Sequence, residues 1–373
     1  MRRRNTLFLL LAIGLGCTTL AGPERPDSVG HKSTEPRVPS RGLWISRQEL
    51  QSLPMSGPAW EKLLQTALAP ADSPNVADQN QRNDVQVMAK ALVYARTRDE
   101  RFRTEVVDNL RRVQGTESGA RTLAVGFALP AYVIAADLVE LSPADDALFR
   151  AWLRRCLEQP FEGEILLGTF MRRPNNWGTH AGAAFLAASL YLGDWINLSR
   201  AVIVFRGWLG DRNSYAGFQF GDLAWQADPA HPVPINPSGS MRDGYPIDGV
   251  LPDDQRRSGG FAWPPPQENY CYTALQGAFV QAELLSRAGF PTVWEWENYA
   301  LLRASAWLRF AAAYPPVSDD TWLDPLIDHS YRTHFWDGSV TRPGKGVGWT
   351  DWTHGSGRVR PHHNAPDPNR FSP

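Results

Sequence analysis

Three short segments of the sequence carry polar side chains of the types that bind an anion and move a proton. Paired amides occur at Asn175-Asn176, paired guanidinium groups at Arg256-Arg257, and a phenol at Tyr270. Amide and guanidinium N–H groups stabilise a carboxylate through hydrogen bonds and charge. A phenol beside an arginine can release and retrieve a proton because the cation stabilises the phenolate. These residue types therefore suit proton abstraction next to a carboxylate.

A histidine accompanies the paired amides. His180 follows Asn176 by four residues, so on a helix both side chains project from the same face and His180 can assist the proton transfer or contact the carboxylate. A structural alternative stays open for every member of the set. The amides can cap a helix, the arginines can be a solvated loop pair, and His180 and Tyr270 can be hydrogen-bonded core residues. Trp177 can stack on a sugar ring or simply pack between helices.

Signatures of other chemistries are missing from the sequence. It contains no glycine-rich phosphate loop and no Cys-x-x-Cys pair, and its Gly-x-Ser segments lack a strand–turn–helix setting. His329 and His334 with Asp328 are too irregularly spaced for a metal set, and His362 and His363 lie in a probable loose tail. With 38 basic and 39 acidic residues, the net charge of -1 argues against a dedicated nucleic-acid surface. We therefore predict no metal, no cofactor and no nucleic-acid partner.

The first 40 residues predict an exported protein. A basic start at Arg2–Arg4 precedes a short apolar run, and Thr19-Leu20-Ala21 offers a cleavage site, so residues 1–21 are predicted to be a signal peptide. In the alternative, a lipoprotein signal ends at residue 16 and Cys17 carries lipid, which would be the only attachment to a membrane. Residues 22–40 are predicted to be a flexible linker. Either outcome places the mature protein in the periplasm or outside the cell.

Residues 41–355 are predicted to form one domain, followed by a loose tail at 356–373. No segment after the signal is predicted to be long and apolar enough to span a membrane. Cys156 and Cys271 can either form a disulfide or lie as small buried apolar side chains on their helices; the second interpretation is slightly favoured. The sequence does not choose between them.

Helical periodicity dominates this domain. Apolar positions recur at helical spacing through most of it, Ser142-Pro143 is typical of a helix start, and a further helix is predicted to follow Asn175-Asn176 and to run to Leu192. The pattern of helix, turn and returning helix predicts an all-α fold of antiparallel hairpins. Residues 211–267 are rich in Pro, Gly and aromatic residues and lack this period. We predict a long irregular insertion there, ordered over a groove.

At these motifs the chain resembles the alginate lyase family of polysaccharide lyases, which fold as an incomplete α/α toroid. Three stretches carry the resemblance. They are Asn175-Asn176-Trp177-Gly178-Thr179-His180, then Asp248-Gly249-Val250-Leu251-Pro252 with Arg256-Arg257, and Tyr270-Cys271-Tyr272-Thr273-Ala274-Leu275. Together with weaker similarity elsewhere, the resemblance extends over most of residues 41–315.

The resemblance implies β-elimination at a uronate of an anionic, alginate-like polysaccharide. Tyr270 stands at the family's catalytic tyrosine, Arg256 or Arg257 at its substrate-binding arginine, and Asn175-Asn176 at its helix-opening amides. Three departures are visible. Trp177 replaces the family's histidine, which leaves His180 as the nearby imidazole; Thr273 stands at its second tyrosine; and the gap between Arg257 and Tyr270 is longer.

Two other functions stay open at this point. A glycoside hydrolase on a related helical toroid would need two carboxylates across the scissile bond, for which Asp248, Asp254 and Glu268 are the candidates. A non-catalytic polysaccharide-binding lipoprotein would keep the groove without the chemistry, and Trp177 in place of the family's histidine favours it. The appearance of unsaturated ends, saturated ends or no product distinguishes the three.

Overall fold

The computed structural model describes residues 42–355, all of which belong to one compact unit. The predicted signal peptide, the possible lipidation at Cys17, the linker and the tail with His362 and His363 lie outside the described residues. Those expectations therefore stay predictions.

Helices are the main secondary structure of the described chain. Its α-helices, in chain order, are α1 (Arg47–Gln51), α2 (Pro58–Leu68), α3 (Asn83–Thr97), α4 (Glu100–Arg112), α5 (Thr122–Val139), α6 (Pro143–Glu158), α7 (Leu166–Arg172), α8 (Asn176–Leu192), α9 (Trp195–Leu209), α10 (Pro252–Gln255), α11 (Asn269–Arg287), α12 (Trp296–Ala306), α13 (Leu323–Tyr331) and α14 (Thr350–Thr353). Strands β1 (Met241–Arg242) and β2 (Tyr245–Pro246) form one short antiparallel hairpin.

The helices pack as two rows. The inner row runs α3, α5, α8, α11, with each helix packed on the next, and the outer helices α4, α6, α9 and α12 alternate with them along the chain. Because a returning outer helix separates successive inner helices, the inner helices run in the same direction. Residues after α12 connect the two ends of the inner row, since Trp349 bonds the carbonyl of Val85 and Gln276 bonds Asp320. This arrangement of hairpins is the predicted all-α incomplete toroid.

Local signals explain where two of these helices begin. The Ser142 hydroxyl accepts a hydrogen bond from the backbone N–H of Asp145, which caps α6 with Pro143 at its first position. The Asn175 side chain accepts from the backbone N–H of Trp177 and caps α8. The predicted starts of α6 and α8 are therefore confirmed.

Helix α5 corrects one expectation. Thr122–Val139 has a mean hydropathy of 1.8 over 18 residues, so by length and composition it could cross a membrane, contrary to the sequence-based prediction. However, 94% of this window is buried inside the fold. Its apolarity is explained by contact on all sides with neighbouring helices, as expected for a core helix of a two-layer fold.

The inner helices approach each other most closely around His180. A Cβ at Gly126 of α5 would lie 2.9 Å from the His180 carbonyl carbon, and a Cβ at Gly277 of α11 would lie 2.6 Å from that of Thr179. Only glycine allows this spacing. Residues near the start of α5, α8 and α11 are thus level with one another, and the N-terminal ends of the inner helices form one end face of the molecule.

The insertion at residues 211–267 is irregular, as predicted, apart from the β1–β2 hairpin, the short helix α10 and the 3-10 turn Arg256–Ser258 that follows it. Each of these strands has only two residues, too short for an alternating pattern to reveal it. Arg303 of α12 anchors the insertion, because its buried guanidinium pairs with Asp248 and donates to the carbonyl of Asn236 at 2.8 Å. The insertion is therefore held against the helices and can place side chains at the end face.

The cysteines and the C-terminal tryptophans are core residues. Cys156 and Cys271 are both buried and free, so the disulfide alternative was wrong and the buried-apolar interpretation is confirmed. Trp349 and Trp352 are both 2% exposed, which confirms that the last described segment packs against the body of the protein.

Candidate active site

Two buried aspartates at the end of the insertion connect it to the start of α8. The Asn175 amide donates to Asp253 Oδ2 at 2.8 Å, and the backbone N–H of Asn176 donates to Asp254 Oδ1 at 3.2 Å. Both carboxyl groups belong to α10, directly before the arginine pair. The paired amides and the paired arginines, distant in the sequence, are therefore neighbours in the structure.

The two adjacent arginines have different surroundings. Arg256 Nε donates to Asp253 Oδ1 at 2.7 Å, and its guanidinium packs so closely on Gly221 that a Cβ there would lie 2.4 Å from its central carbon. Arg257 instead donates from Nη2 to Asn176 Oδ1 at 3.2 Å. Arg256 is thus held by the protein itself, while Arg257 is an exposed cation beside the amide.

Tyr270 completes this group from the first turn of α11. The central carbon of the Arg257 guanidinium lies 3.9 Å from the centroid of the Tyr270 ring. Glu268 caps α11 by accepting a hydrogen bond from the backbone N–H of Tyr270 at 3.0 Å, which fixes the position of Tyr270 in the first turn of the helix. Tyr270 is 44% exposed, so its hydroxyl is accessible from solvent. We call Asn176, Arg257 and Tyr270 the end-face triad.

Two buried polar atoms of this neighbourhood have no hydrogen-bond partner within residues 42–355. They are Nδ2 of Asn176 and Oδ2 of Asp254. Desolvation by burial raises the pKa of Asp254 well above its usual range, although the nearby Arg257 acts in the opposite direction. Sequence reasoning had treated Asp254 only as a hydrolase candidate. In the structure, Asp254 instead accepts a hydrogen bond from the backbone of Asn176 and lies near Arg257, so it helps to hold the triad in place.

His180 lies in the interior between α5, α8 and α11. It is fully buried, its Nε2 is 2.8 Å from the carbonyl oxygen of Thr273, and its ring meets the edge of Phe127 at 4.4 Å. Burial lowers the pKa of His180 to about 3, so the ring is neutral at ordinary pH. Its Nδ1 has no partner in the described part of the chain. The structure therefore places His180 beneath the end face rather than beside Tyr270 at the surface.

Trp177 points away from the triad and toward the start of α5. The guanidinium of Arg121 lies 5.0 Å from its ring centroid, and the indole is half-buried. Because the ring is partly accessible, both the stacking and the packing interpretations remain compatible with its position.

A cleft of about 790 Å³ lies over the starts of α3 and α5 rather than at the triad. Its lining includes Asp84 from α3 and Phe127 from α5, and Lys345 from the segment that follows α13. We call it the α3–α5 cleft. It shares the end face with the triad, because Phe127 contacts His180 and His180 contacts Thr273 of α11. No sequence pattern indicated Lys345 or Asp84, since the cleft joins segments far apart in the chain.

The three carboxylates proposed for a hydrolase are each paired, buried or used as a helix cap. Asp248 pairs with Arg303, Asp254 is fully buried, and Glu268 caps α11. A glycosidase needs two carboxyl groups that reach opposite sides of one bond. These three residues do not form such a pair. No group of three or more metal-ligating side chains occurs among the described residues.

Comparison with known proteins places little constraint on this chain. No protein-family model and no curated protein matches the sequence. Among solved structures, the chain is similar to an alginate lyase from Bacteroides ovatus, with 15% identity and a TM-score of 0.40 over 65% of this chain and 73% of that chain. At this distance, the similarity assigns no reaction. The function has to be argued from the side chains.

Proposed function

We propose that this protein is a polysaccharide lyase that cleaves a uronate-containing polymer by β-elimination. The observation that carries the proposal is the contact of Arg257 with both the Asn176 amide and the Tyr270 ring at an exposed end of the helices. A uronate lyase needs these elements together: a cation and an amide for the carboxylate, and an accessible group that transfers a proton.

The first requirement is neutralisation of the sugar carboxylate. The proton on C5 is weakly acidic, and it becomes removable when the adjacent carboxylate is held by positive charge and hydrogen bonds. Arg257 supplies the exposed positive charge. Asn176 holds that guanidinium through Oδ1 and retains an unpaired N–H on Nδ2.

The second requirement is proton transfer on one face of the sugar. As a phenolate, Tyr270 takes the C5 proton, the C5–H electron pair forms the C4–C5 double bond, and the C4–O bond breaks. The resulting tyrosine hydroxyl then protonates the departing oxygen. Bonds and protons balance without a cofactor, and Tyr270 returns to its starting state. The Arg257 guanidinium, 3.9 Å from the ring centroid, places positive charge beside the tyrosine during both proton transfers.

Export and the choice of polymer belong to the proposal as well. The basic and apolar N-terminus supports a periplasmic or secreted protein, possible tethering at Cys17 included. Such a location suits an enzyme whose substrate is an extracellular anionic polymer. The triad recognises a uronate and does not distinguish mannuronate, guluronate or glucuronate.

The deciding experiment follows ultraviolet absorbance while the purified mature domain is incubated with a panel of uronate polymers. Growth of the unsaturated-product band with wild type, and none with Tyr270→Phe, is the expected result. Tyr245→Phe is a matched control, because this tyrosine is similarly exposed at 41% but lies in the β1–β2 hairpin. Full lyase activity in Tyr270→Phe would refute the role of the tyrosine.

A flat absorbance trace across the whole panel would contradict lyase activity. New reducing ends with that trace would indicate hydrolysis. Polymer binding without any product would support the non-catalytic alternative, which the replacement of the family's histidine by Trp177 keeps in view.

A further inference from the structure

Lys345 places an ammonium group in the α3–α5 cleft, where it interacts electrostatically with Asp320 but makes no close ion pair among the described residues. Its ammonium lies 4.8 Å from the centroid of the Phe127 ring, and the side chain is half-buried. Among residues 42–355 it forms no ion pair, although Asp84 and Asp319 line the same cleft. A partly desolvated ammonium is unfavourable unless an anion or an aromatic face compensates it. Phe127 covers one side of the ammonium, and its remaining N–H groups are available to a ligand.

The charge of the cleft also favours an anion. Four basic residues and three acidic residues line it, a formal balance of +1; the basic ones are Lys62, Arg82, Arg342 and Lys345, and the acidic ones are Asp78, Asp84 and Asp319. Burial raises the pKa of Asp84 to about 7, so near neutral pH this carboxyl is only partly ionised. The side chains that line the cleft therefore carry a net positive formal charge.

The cleft lies at a suitable distance from the triad. Phe127 belongs to α5 and Asn176 to α8, and packed neighbouring helices lie about 8–10 Å apart. Trp177, which follows Asn176 in α8, contacts Arg121 at the start of α5 and so links the two helices at the end face. A polymer chain whose reacting sugar is bound by Arg257 would pass over Trp177 and reach Lys345 within a few sugar rings.

We propose that the α3–α5 cleft is a second carboxylate-binding subsite in which Lys345 binds a uronate that is not cleaved. This inference rests on the proposed lyase function, and it deepens that function by naming the substrate class. The enzyme would require a run of uronate residues rather than one uronate between neutral sugars. Recognition of the second carboxylate would strengthen binding without altering the chemical step.

The test separates binding from chemistry. Tyr270→Phe in the full mature chain serves as the non-cleaving parent, and its affinity for oligouronates is measured by calorimetry with and without Lys345→Met. We expect Lys345→Met to weaken binding about five- to tenfold, as for loss of one partly exposed charge-assisted contact. Lys345→Arg should retain most of the affinity. Oligosaccharides whose carboxyl groups have been reduced should bind both proteins equally weakly.

In the catalytically intact chain, Lys345→Met should raise KM by a similar factor and leave kcat unchanged. Equal affinity of the parent and Lys345→Met for oligouronates would overturn the subsite while leaving lyase activity in place. Loss of affinity for the reduced oligosaccharides as well would also overturn it, because the effect would not depend on a carboxylate. Failure of the lyase function itself is distinguished by a flat absorbance trace with wild type.

Discussion

The triad and the α3–α5 cleft lie on the same end face, but they differ in the contacts that surround their basic side chains. At the triad, Arg257 is held between an amide and an aromatic ring, and the neighbouring Arg256 is paired with buried Asp253. In the cleft, the half-buried Lys345 lies over the Phe127 ring, interacts with Asp320 electrostatically and makes no close ion pair among the described residues. Groups fixed by the protein can stabilise one geometry of a reacting sugar. A charge left free can attract a longer ligand without dictating its chemistry.

Replacement of Tyr270, the proton-transfer group of the triad, should reduce kcat more than any substitution in the α3–α5 cleft. Tyr270→Phe removes the only atom of that side chain that can exchange a proton, so we expect kcat to fall about 10²- to 10⁴-fold. The melting temperature should change little because the ring is 44% exposed and keeps its contact with Arg257. Initial rates of ultraviolet absorbance and a thermal melt check both parts. A drop in melting temperature that accounts for the lost activity would contradict this prediction.

The adjacent residues Arg256 and Arg257 allow a paired cation to be compared directly with the exposed cation of the triad. Arg257→Met should lower kcat/KM about 10²- to 10³-fold through loss of charge stabilisation and should leave stability nearly unchanged. Arg256→Met should instead leave kcat/KM nearly unchanged and lower the stability of the protein. It leaves Asp253, which is 2% exposed, without its cation, and we expect a loss of about 2 kcal/mol in the free energy of unfolding.

Parallel urea denaturation and lyase rates on the two variants provide the measurement. Each variant is the control for the other, since both remove one guanidinium from neighbouring positions. Equal effects of the two substitutions on activity would show that the structural distinction between them has no functional meaning.

Asp84 of the α3–α5 cleft should affect how the stability of the protein depends on pH rather than the rate of the reaction. Burial raises the pKa of Asp84 from 3.8 to about 7. The folded state therefore holds a proton that the unfolded chain releases between these values, and the free energy of unfolding falls as pH rises from about 4 to 7. Asp84→Asn cannot ionise, so it should be more stable than wild type at pH 8 by roughly 2–4 kcal/mol relative to their difference at pH 4.

Urea denaturation of both proteins at the two pH values measures this difference. Taking the difference between proteins removes contributions from other buried carboxyl groups, such as Asp320, whose pKa is also raised to about 7. Asp78→Asn, at an exposed position of the same cleft, is the control. Parallel stability curves for wild type and Asp84→Asn would contradict the prediction.

The smallest effect is expected where the two regions meet. If Trp177 contacts the polymer between the triad and the cleft, Trp177→Ala should raise KM about fivefold, or about 1 kcal/mol, and change kcat little. Michaelis constants on a long polymer and on the shortest cleaved oligosaccharide check this. An equal change on both substrates, or a change in kcat alone, would assign Trp177 to helix packing.

Much of the fold follows from local features of the sequence. Ser142-Pro143 marks the start of α6, Asn175 caps α8, and apolar positions at helical spacing predict most of the inner helices. These signals act over a few residues, so they are visible without a structure. The burial of α5 on all sides is not local. Its composition alone satisfies the criteria for a membrane span, and only its neighbours show that it is a core helix.

The sequence by itself determined the all-α hairpin fold and the residue types that could act on a uronate, because helix caps and periodicity are short-range properties. Tertiary structure decided their roles. Arg256 and Arg257 are equivalent in sequence, and buried Asp253 three residues before Arg256 separates them. Packing of three helices buries His180. Lys345 meets Phe127 across more than two hundred residues of chain, a contact that arises only when the ends of the helical row are brought together.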